Sequence, residues 1–185
     1  MEKIIRIDMT QHTVTTEKTP SDCRLLGGRA LCTRILKREV PAHTHPLGSE
    51  NKLIVAPGLL AGTMAPSFGR TSFGAKSPLT RTIKESNAGG TAAQKLDRLG
   101  IKAIIIQGKP KNDQPHILFL DAKETKLLPA PQLSGKRNYE LVSHLHEKYG
   151  NDTGIISIGP AGEAKMTAST IAVTDQDSRP SRHAG

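Results

Sequence analysis

Residues 57–90 read PGLLAGTMAPSFGRTSFGAKSPLTRTIKESNAGG. Six glycines (Gly58, Gly62, Gly69, Gly74, Gly89, Gly90) and three prolines punctuate the run. Four cations, Arg70, Lys76, Arg81 and Lys84, stand against one acid, Glu85. Glycine permits positive φ and lets a ligand approach the main chain closely. The punctuation is too ordered for a linker, and the apolar content is too low for a core. A cation-bearing, glycine-lined surface suits a ligand with phosphates, met by backbone N–H groups and arginine forks.

Upstream of this run, Lys3–Met9 and Val14–Glu17 read as the strands of a hairpin, with Ile5 and Ile7 on one face. Ser21 or Asp22 caps a short turn. Leu31, Cys32, Ile35 and Leu36 fall at helical spacing, and Pro41 stops that helix near Val40. Leu53–Ala56 reads as a buried strand that delivers the chain into the glycine-rich run. Within the run Thr71–Ala75 reads as a strand. Ser86 or Asn87 reads as the N-cap of a helix through Ala92, Ala93, Leu96 and Leu99, closed by Gly100. Ala103–Ile106 is apolar enough for a strand buried on both faces.

Downstream, residues 116–128 read as a second hairpin about a turn at Asp121–Glu124. Asn138–Tyr149 reads as a helix with Leu141, Val142, Leu145 and Tyr149 inward, ended by Gly150. Gly154–Ile158 is a strand, residues 159–163 a glycine turn, Met166–Val173 a last strand, and Thr174–Gly185 a basic loop containing Arg179 and Arg182. The halves thus share an order: hairpin, helix, short apolar strand, glycine turn, further strand. This predicts an α+β fold of two β-sheets with flanking helices about a pseudo-two-fold axis, the glycine turns in comparable places.

The chain has 185 residues, enough to bury one sizeable core, and a formal net charge of +9. That charge calls for an anionic partner: nucleic acid, cofactor phosphates or an acidic protein. With three Phe, two Tyr and no Trp, the core must be aliphatic. Cys23 and Cys32 give neither a disulfide framework nor a four-thiolate metal site, and suit buried positions in a reducing cytoplasm. Met1 leads straight into a strand-like run, so no signal peptide is expected. No apolar run approaches the roughly 20 residues of a membrane span.

The chemistry-bearing motifs are few. Gly69-x4-Gly74-x-Lys76-Ser77 nearly matches the phosphate loop, but Ala75 takes the lysine position and Pro78 blocks the helix that should receive the phosphate. Residues 86–90, ahead of a helix, read either as an ordinary capped start or as an anion site, and an outward carbonyl there could ligate Mg²⁺. Arg70 sits in a Gly/Pro frame, half-buried by this reading, with little nearby to accept its donors. His43-x-His45 lacks a third ligand, and His144 and His146 face different ways on a helix. No Ser–His–Asp arrangement or isolated carboxylate pair is present, so no catalytic residue is assigned.

The blocks GGRALCTRILKREVP (27–41), HPLGSENKLIVAPGLLAGTMAPSFGR (45–70), AKSPLT (75–80), SNAGG (86–90), GIKAIIIQGK (100–109), SIGPAGE (157–163) and SRHAG (181–185) occur in this order. Together they resemble the N-terminal domain of the aldehyde:ferredoxin oxidoreductases, from Ile4 to Gly185. The resemblance implies residues 1–185 as one pterin-cofactor-binding domain, on which two pterins lie. It implies a tungsten (or molybdenum) bis-pterin cofactor with a bridging Mg²⁺, and a [4Fe–4S] cluster in the intact enzyme. By the same resemblance, Arg70 lies between pterin and cluster, and Asn87 ligates Mg²⁺ through its carbonyl. Gly89 makes a backbone contact to the cofactor. Arg182 and His183 match the other phosphate and Mg²⁺ positions, His183 through its main chain. The implied reaction of the intact enzyme oxidises an aldehyde with water to a carboxylic acid, two electrons passing to ferredoxin or a similar acceptor.

Two departures stand out. After Gly90 the family carries aromatic residues, whereas this chain has Thr91-Ala92-Ala93. The family also continues past Gly185 into two further domains, which hold the cluster cysteines, the pterin-binding aspartates and the substrate contacts. The expectation is therefore a fragment, a truncated gene product or an expressed domain, inactive alone. Its implied partners are those downstream domains, the electron acceptor and the aldehyde, with no nucleic acid, no membrane and room for a homodimer; the expected location is cytoplasmic. The rival readings are a basic nucleic-acid-binding module and a degenerate relative serving as an interaction domain. The scarcity of aromatic residues argues against single-strand stacking.

Overall fold

Ile4, Ile5 and Ile7 are all buried, yet they serve opposite faces of one sheet. In the computed structural model, which describes residues 2–175 and 182–184, they lie on β1 (Lys3–Asp8). β1 forms a hairpin with β2 (Thr13–Lys18). A 3-10 turn at Ser21–Cys23 then leads to α1 (Gly28–Glu39), which ends where expected, before Pro41. β3 (Lys52–Pro57), β4 (Thr71–Lys76), β5 (Ile83–Ala88), α2 (Ala92–Arg98) and β6 (Ile101–Gln107) complete the first half.

The six strands form one sheet in the order β2-β1-β6-β3-β4-β5. β1 and β6 are parallel, and every other neighbouring pair is antiparallel. β6 is central, which is why Ile101, Ala103, Ile104 and Ile105 form an unbroken apolar run. On one face α1 lays Leu31, Cys32, Ile35 and Leu36 against Ile4, Ile54, Ala56, Ala103 and Ile105. Each such side chain stabilises by roughly 1.5–3 kcal/mol when fully buried. On the other face Ile5, Ile7, Val55, Phe73 and Ile104 meet Leu96 of α2 and residues of the second half, Val173 and Ala184.

The second half repeats the order. β7 (His116–Leu120) and β8 (Thr125–Pro129) make a hairpin, Pro131–Leu133 a 3-10 turn, and Asn138–Tyr149 a 12-residue helix, α3, the length of α1. β9 (Ile155–Ser157), a single turn α4 (Pro160–Glu163) and β10 (Ile171–Thr174) follow, and β11 (Arg182–Ala184) pairs with β10. β9 and β10 pair antiparallel, as β3 and β4 do. The α+β class and the repeated order are as expected. The second half is leaner, however, and its strands divide into β11-β10-β9 and the separate ladder β7-β8. Its own core is Ala130, Leu133, Leu141, Val142, Leu145 and Ile155. Among the described residues no helix is long and apolar enough to cross a membrane.

Candidate functional site

Ser72 of β4 lies opposite Asn87 of β5, and Gly74 lies opposite Glu85. Residues directly opposite in a ladder project to the same face. Here that face is the one α1 covers, and Gly74 lets the helix sit close: a Cβ there would lie 2.6 Å from Cys32 Cβ. Along α1 the face opens into a groove of about 870 Å³, whose lining includes Gly27, Arg29, Gly58, Arg70, Glu85 and Asn87. Gly27 is fixed as glycine by the loop that borders it, since a Cβ would stand 2.3 Å from the Leu59 nitrogen.

Arg70 enters the groove from the residue before β4. Its carbonyl accepts a hydrogen bond from the Gly58 N–H at 3.0 Å, which closes the base of the 58–70 loop. Its guanidinium Nη1 donates to Asn87 Oδ1 at 2.7 Å. Arg70 is exposed rather than half-buried, because its Gly/Pro frame forms a rim rather than a wall. A cation that leans on a neutral amide keeps its full charge for an anion.

Asn87 lies on β5 and His183 on β11. β5 ends the six-stranded sheet and β11 ends the three-stranded one, and these two edges pack side by side. Ala88 and Ala184 share the core beneath them. An edge strand leaves part of its N–H and C=O groups outside the ladder. His183 is exposed, and its Nδ1 lies 3.5 Å from Thr170 Oγ1. Among the described residues no cluster of His, Cys, Asp or Glu could hold a metal alone. A hard cation here would be held by carbonyls and by oxygens of its own ligand, as Mg²⁺ accepts. The backbone of Arg182 lies in β11; Arg179 lies outside the described residues.

Residues 86–90 are not a helix start. Ser86 and Asn87 belong to β5, and α2 begins at Ala92 with Thr91 as its N-cap. Asp175 Oδ1 accepts from the Thr91 N–H at 2.8 Å and from its hydroxyl at 2.7 Å. A carboxylate thus already stands beside the start of α2. Gly89 and Gly90 instead make the corner between strand and helix, Gly90 with φ +107°. The rim folds back on this corner, for a Cβ on Gly69 would lie 3.2 Å from the Gly90 carbonyl oxygen.

Two groups in or beside the site carried no sequence signal of their own. Asp175 is buried at the end of β10, and Glu85, the lone acid of the run, lines the groove. The remaining motifs resolve as structure. Thr71–Lys76 is a strand rather than a phosphate loop, and Lys76 Nζ donates to the Ala42 carbonyl. His45 Nδ1 accepts from the Leu47 N–H at 3.2 Å, and His146 is buried with Nε2 3.0 Å from the Thr153 carbonyl oxygen. Both cysteines are buried thiols. Burial, then the charge of Glu85, pushes Cys32 up to about 12; burial, then Asp22, raises Cys23.

Residues 4–185 match the family described as the aldehyde ferredoxin oxidoreductase N-terminal domain. The tungsten-containing aldehyde ferredoxin oxidoreductase of Pyrococcus abyssi is 36% identical over 172 residues, 91% of this chain and 28% of that protein. The Pyrococcus furiosus protein of the same name is 33% identical over 164 residues, 87% of this chain and 27% of that protein. The chain therefore spans a little over a quarter of the length of these relatives. Among solved structures, the active-site complex BamBC of benzoyl coenzyme A reductase, in complex with 1,5-dienoyl-CoA, superposes with a TM-score of 0.87 at 29% identity. It covers 92% of this chain and 26% of that one. With the paired half-folds, the glycine-framed Arg70 and a family match over nearly its whole length, the chain belongs to the aldehyde ferredoxin oxidoreductase N-terminal domain family.

Proposed function

We propose that this chain is the base on which a tungsten (or molybdenum) bis-pterin cofactor sits in a larger oxidoreductase. The observation that carries the reading is that Arg70 and Asn87 meet in one groove, and that β5, the strand bearing Asn87, also packs against β11. Arg70 would bind phosphate or a pterin oxygen through its free N–H groups. The Asn87 and His183 main chains would hold a bridging Mg²⁺, and Gly89 would admit the ligand against the backbone. Arg182 would add a second phosphate contact. The residues fit the group: glycine corners where a side chain would obstruct, an uncompensated cation, and a buried carboxylate oxygen on Glu85 without a donor. The bound cofactor would supply the two-electron chemistry; the chain's own part is to seat it, orient it and set the local charge.

The relatives' names favour an aldehyde as substrate and ferredoxin as electron acceptor; in this reading the product would be a carboxylic acid and the electrons would leave through a [4Fe–4S] cluster. The neighbour named for benzoyl coenzyme A reductase favours a second reading, in which the same base serves reduction of an aryl thioester. Leu59, Leu60, Met64 and Phe68 are exposed on the loop that rims the groove. They are apolar surface for the rest of such an enzyme to cover, which is the partner this reading requires.

The test is to produce the chain together with its downstream protein and to measure bound tungsten and pterin. Stoichiometric cofactor that is lost on Arg70→Ala supports the base role; cofactor retained in full by that variant contradicts it. Assaying the loaded protein with aldehydes and with aryl thioesters separates the two reactions.

A further inference from the structure

His12 and His116 belong to different half-folds, yet their rings meet edge to face with centres 4.9 Å apart. His12 lies in the turn between β1 and β2, and His116 opens β7. The hairpin turn is built to hold His12 in place. Asp8 Oδ1 accepts from the Thr10 N–H at 2.8 Å and from the Gln11 N–H at 3.0 Å. His12 then takes φ +53°, which residues with a side chain seldom adopt. Thr10 ties the turn to the chain beyond β6: its hydroxyl accepts from the Lys109 N–H at 2.9 Å and donates to the Lys109 carbonyl at 3.2 Å. Gly108, with φ +77°, makes room for this, since a Cβ there would stand 2.6 Å from Thr10 Oγ1. The hairpin tip is thereby fixed against the segment that leads into β7.

His116 is half-buried and its tautomer is set. Nδ1 lies 2.9 Å from the Gln114 carbonyl oxygen, which can only accept, so Nδ1 carries the hydrogen and Nε2 the lone pair. Metal-bound histidines almost always anchor their other nitrogen in this way. His12 is exposed, no described residue hydrogen-bonds its ring, and the last torsion of histidine is soft. Two imidazoles on one ion, each at about 2.0–2.1 Å and at a roughly tetrahedral angle, hold their ring centres about 5 Å apart. The pair already has that separation, and turning the His12 ring is the change required. Neutral nitrogens also select the ion: Mg²⁺ and Ca²⁺ take oxygen ligands, whereas imidazole suits Zn²⁺, Ni²⁺ and Cu²⁺. No third His, Cys, Asp or Glu among the described residues completes the set, so water fills the remaining positions.

We propose that His12 and His116 form a two-histidine site for Zn²⁺ or a similar first-row divalent ion, which clamps one half-fold to the other. Neither residue lines the Arg70 groove, and the ion would bind whether or not that groove takes a cofactor. Edge-to-face packing of the rings needs no nitrogen at all, so phenylalanine separates the two roles.

The chain is titrated with zinc chloride by calorimetry, with magnesium chloride in parallel, and its histidine ring signals are followed by NMR. One Zn²⁺ per chain should bind, with the ring protons of His12 and His116 shifting together, and Mg²⁺ should shift neither. His12→Phe and His116→Phe keep an aromatic ring but lose the nitrogens. Each should weaken Zn²⁺ by about tenfold or more, whereas His43→Ala combined with His45→Ala should leave it within about twofold. Zn²⁺ at about a hundred times its dissociation constant should raise the folding equilibrium constant about a hundredfold in the wild-type chain, and far less in either Phe variant. Zn²⁺ that binds either Phe variant as tightly as the wild type overturns the inference. So does Zn²⁺ that shifts other histidines instead of this pair, and so does a wild-type chain that binds none. The NMR shifts come from the wild-type chain, so they decide the matter even where a variant fails to fold.

Discussion

Asp175 and Thr91 are 84 residues apart in sequence, and two hydrogen bonds of 2.8 and 2.7 Å join them. Through them the end of β10 holds the start of α2, and with it the Gly89–Gly90 corner beside Asn87. The two half-folds are thus fastened to each other next to the candidate site. Asp175→Ala strips a part-buried N–H and a hydroxyl of their acceptor. It should lower unfolding stability by about 1–3 kcal/mol. Asp175→Asn, which keeps an acceptor oxygen, should recover part of the loss. Urea denaturation of the three proteins measures both effects.

Arg70 and Asn87 are paired by side chains, but the roles proposed for them differ. If Asn87 serves Mg²⁺ through its carbonyl, Asn87→Ala should leave Mg²⁺–pyrophosphate affinity within about threefold. Arg70→Ala should lower it by about tenfold or more, since a charge-assisted hydrogen bond is worth roughly 1.5–3 kcal/mol. Calorimetric titration distinguishes the two; a larger loss for Asn87→Ala would assign the amide itself to the ligand.

Acid should loosen the first sheet through Glu39. Burial raises its pKa, but hydrogen bonds from Arg6 and Lys52 outweigh that and hold it below its ordinary value of 4.5. A carboxylate with a depressed folded-state pKa stabilises above its unfolded value. Its contribution is complete above about pH 4.5 and fades as the pH falls through the lower, folded-state value. Urea midpoints measured from pH 7 downward should fall in that acid range, and Glu39→Gln should flatten the fall while lowering the plateau.

Cys23 and Cys32 should resist thiol reagents in the folded chain at neutral pH, because both are buried and both thiols are pushed upward. Labelling should become complete in denaturant. Rapid native labelling of Cys32 would show that α1 does not lie on β4 as described.

Gly74→Ala places a methyl group where Cys32 Cβ already stands, 2.6 Å away. Overpacking of this kind costs about 1–3 kcal/mol. Thermal unfolding should report it, and Cys32→Gly on the same background should relieve the clash in part.

Local patterns made the long elements legible. Asn138–Tyr149 was readable end to end, since Leu141, Val142 and Leu145 mark one helical face and Gly150 stops it. β5 was not, because Ser86-Asn87 before Ala92 carries the same letters as a helix cap. What decides the matter is pairing with β4, which no window around Asn87 contains. β11 was missed for the same reason: its strand character comes from β10. Of the site, Arg70 was legible from its glycine frame. Glu85 and Asp175 act through partners 56 and 84 residues away, and their own neighbourhoods say nothing of it.

The repeated architecture carries a difference at its centre. Arg70 immediately precedes β4, and the matching place before β10 is held by Thr170. One half-fold therefore offers a formal positive charge where its counterpart offers only a hydroxyl. A guest made of two identical moieties would find them in unlike electrostatic surroundings, one favoured over the other as the holder of negative charge.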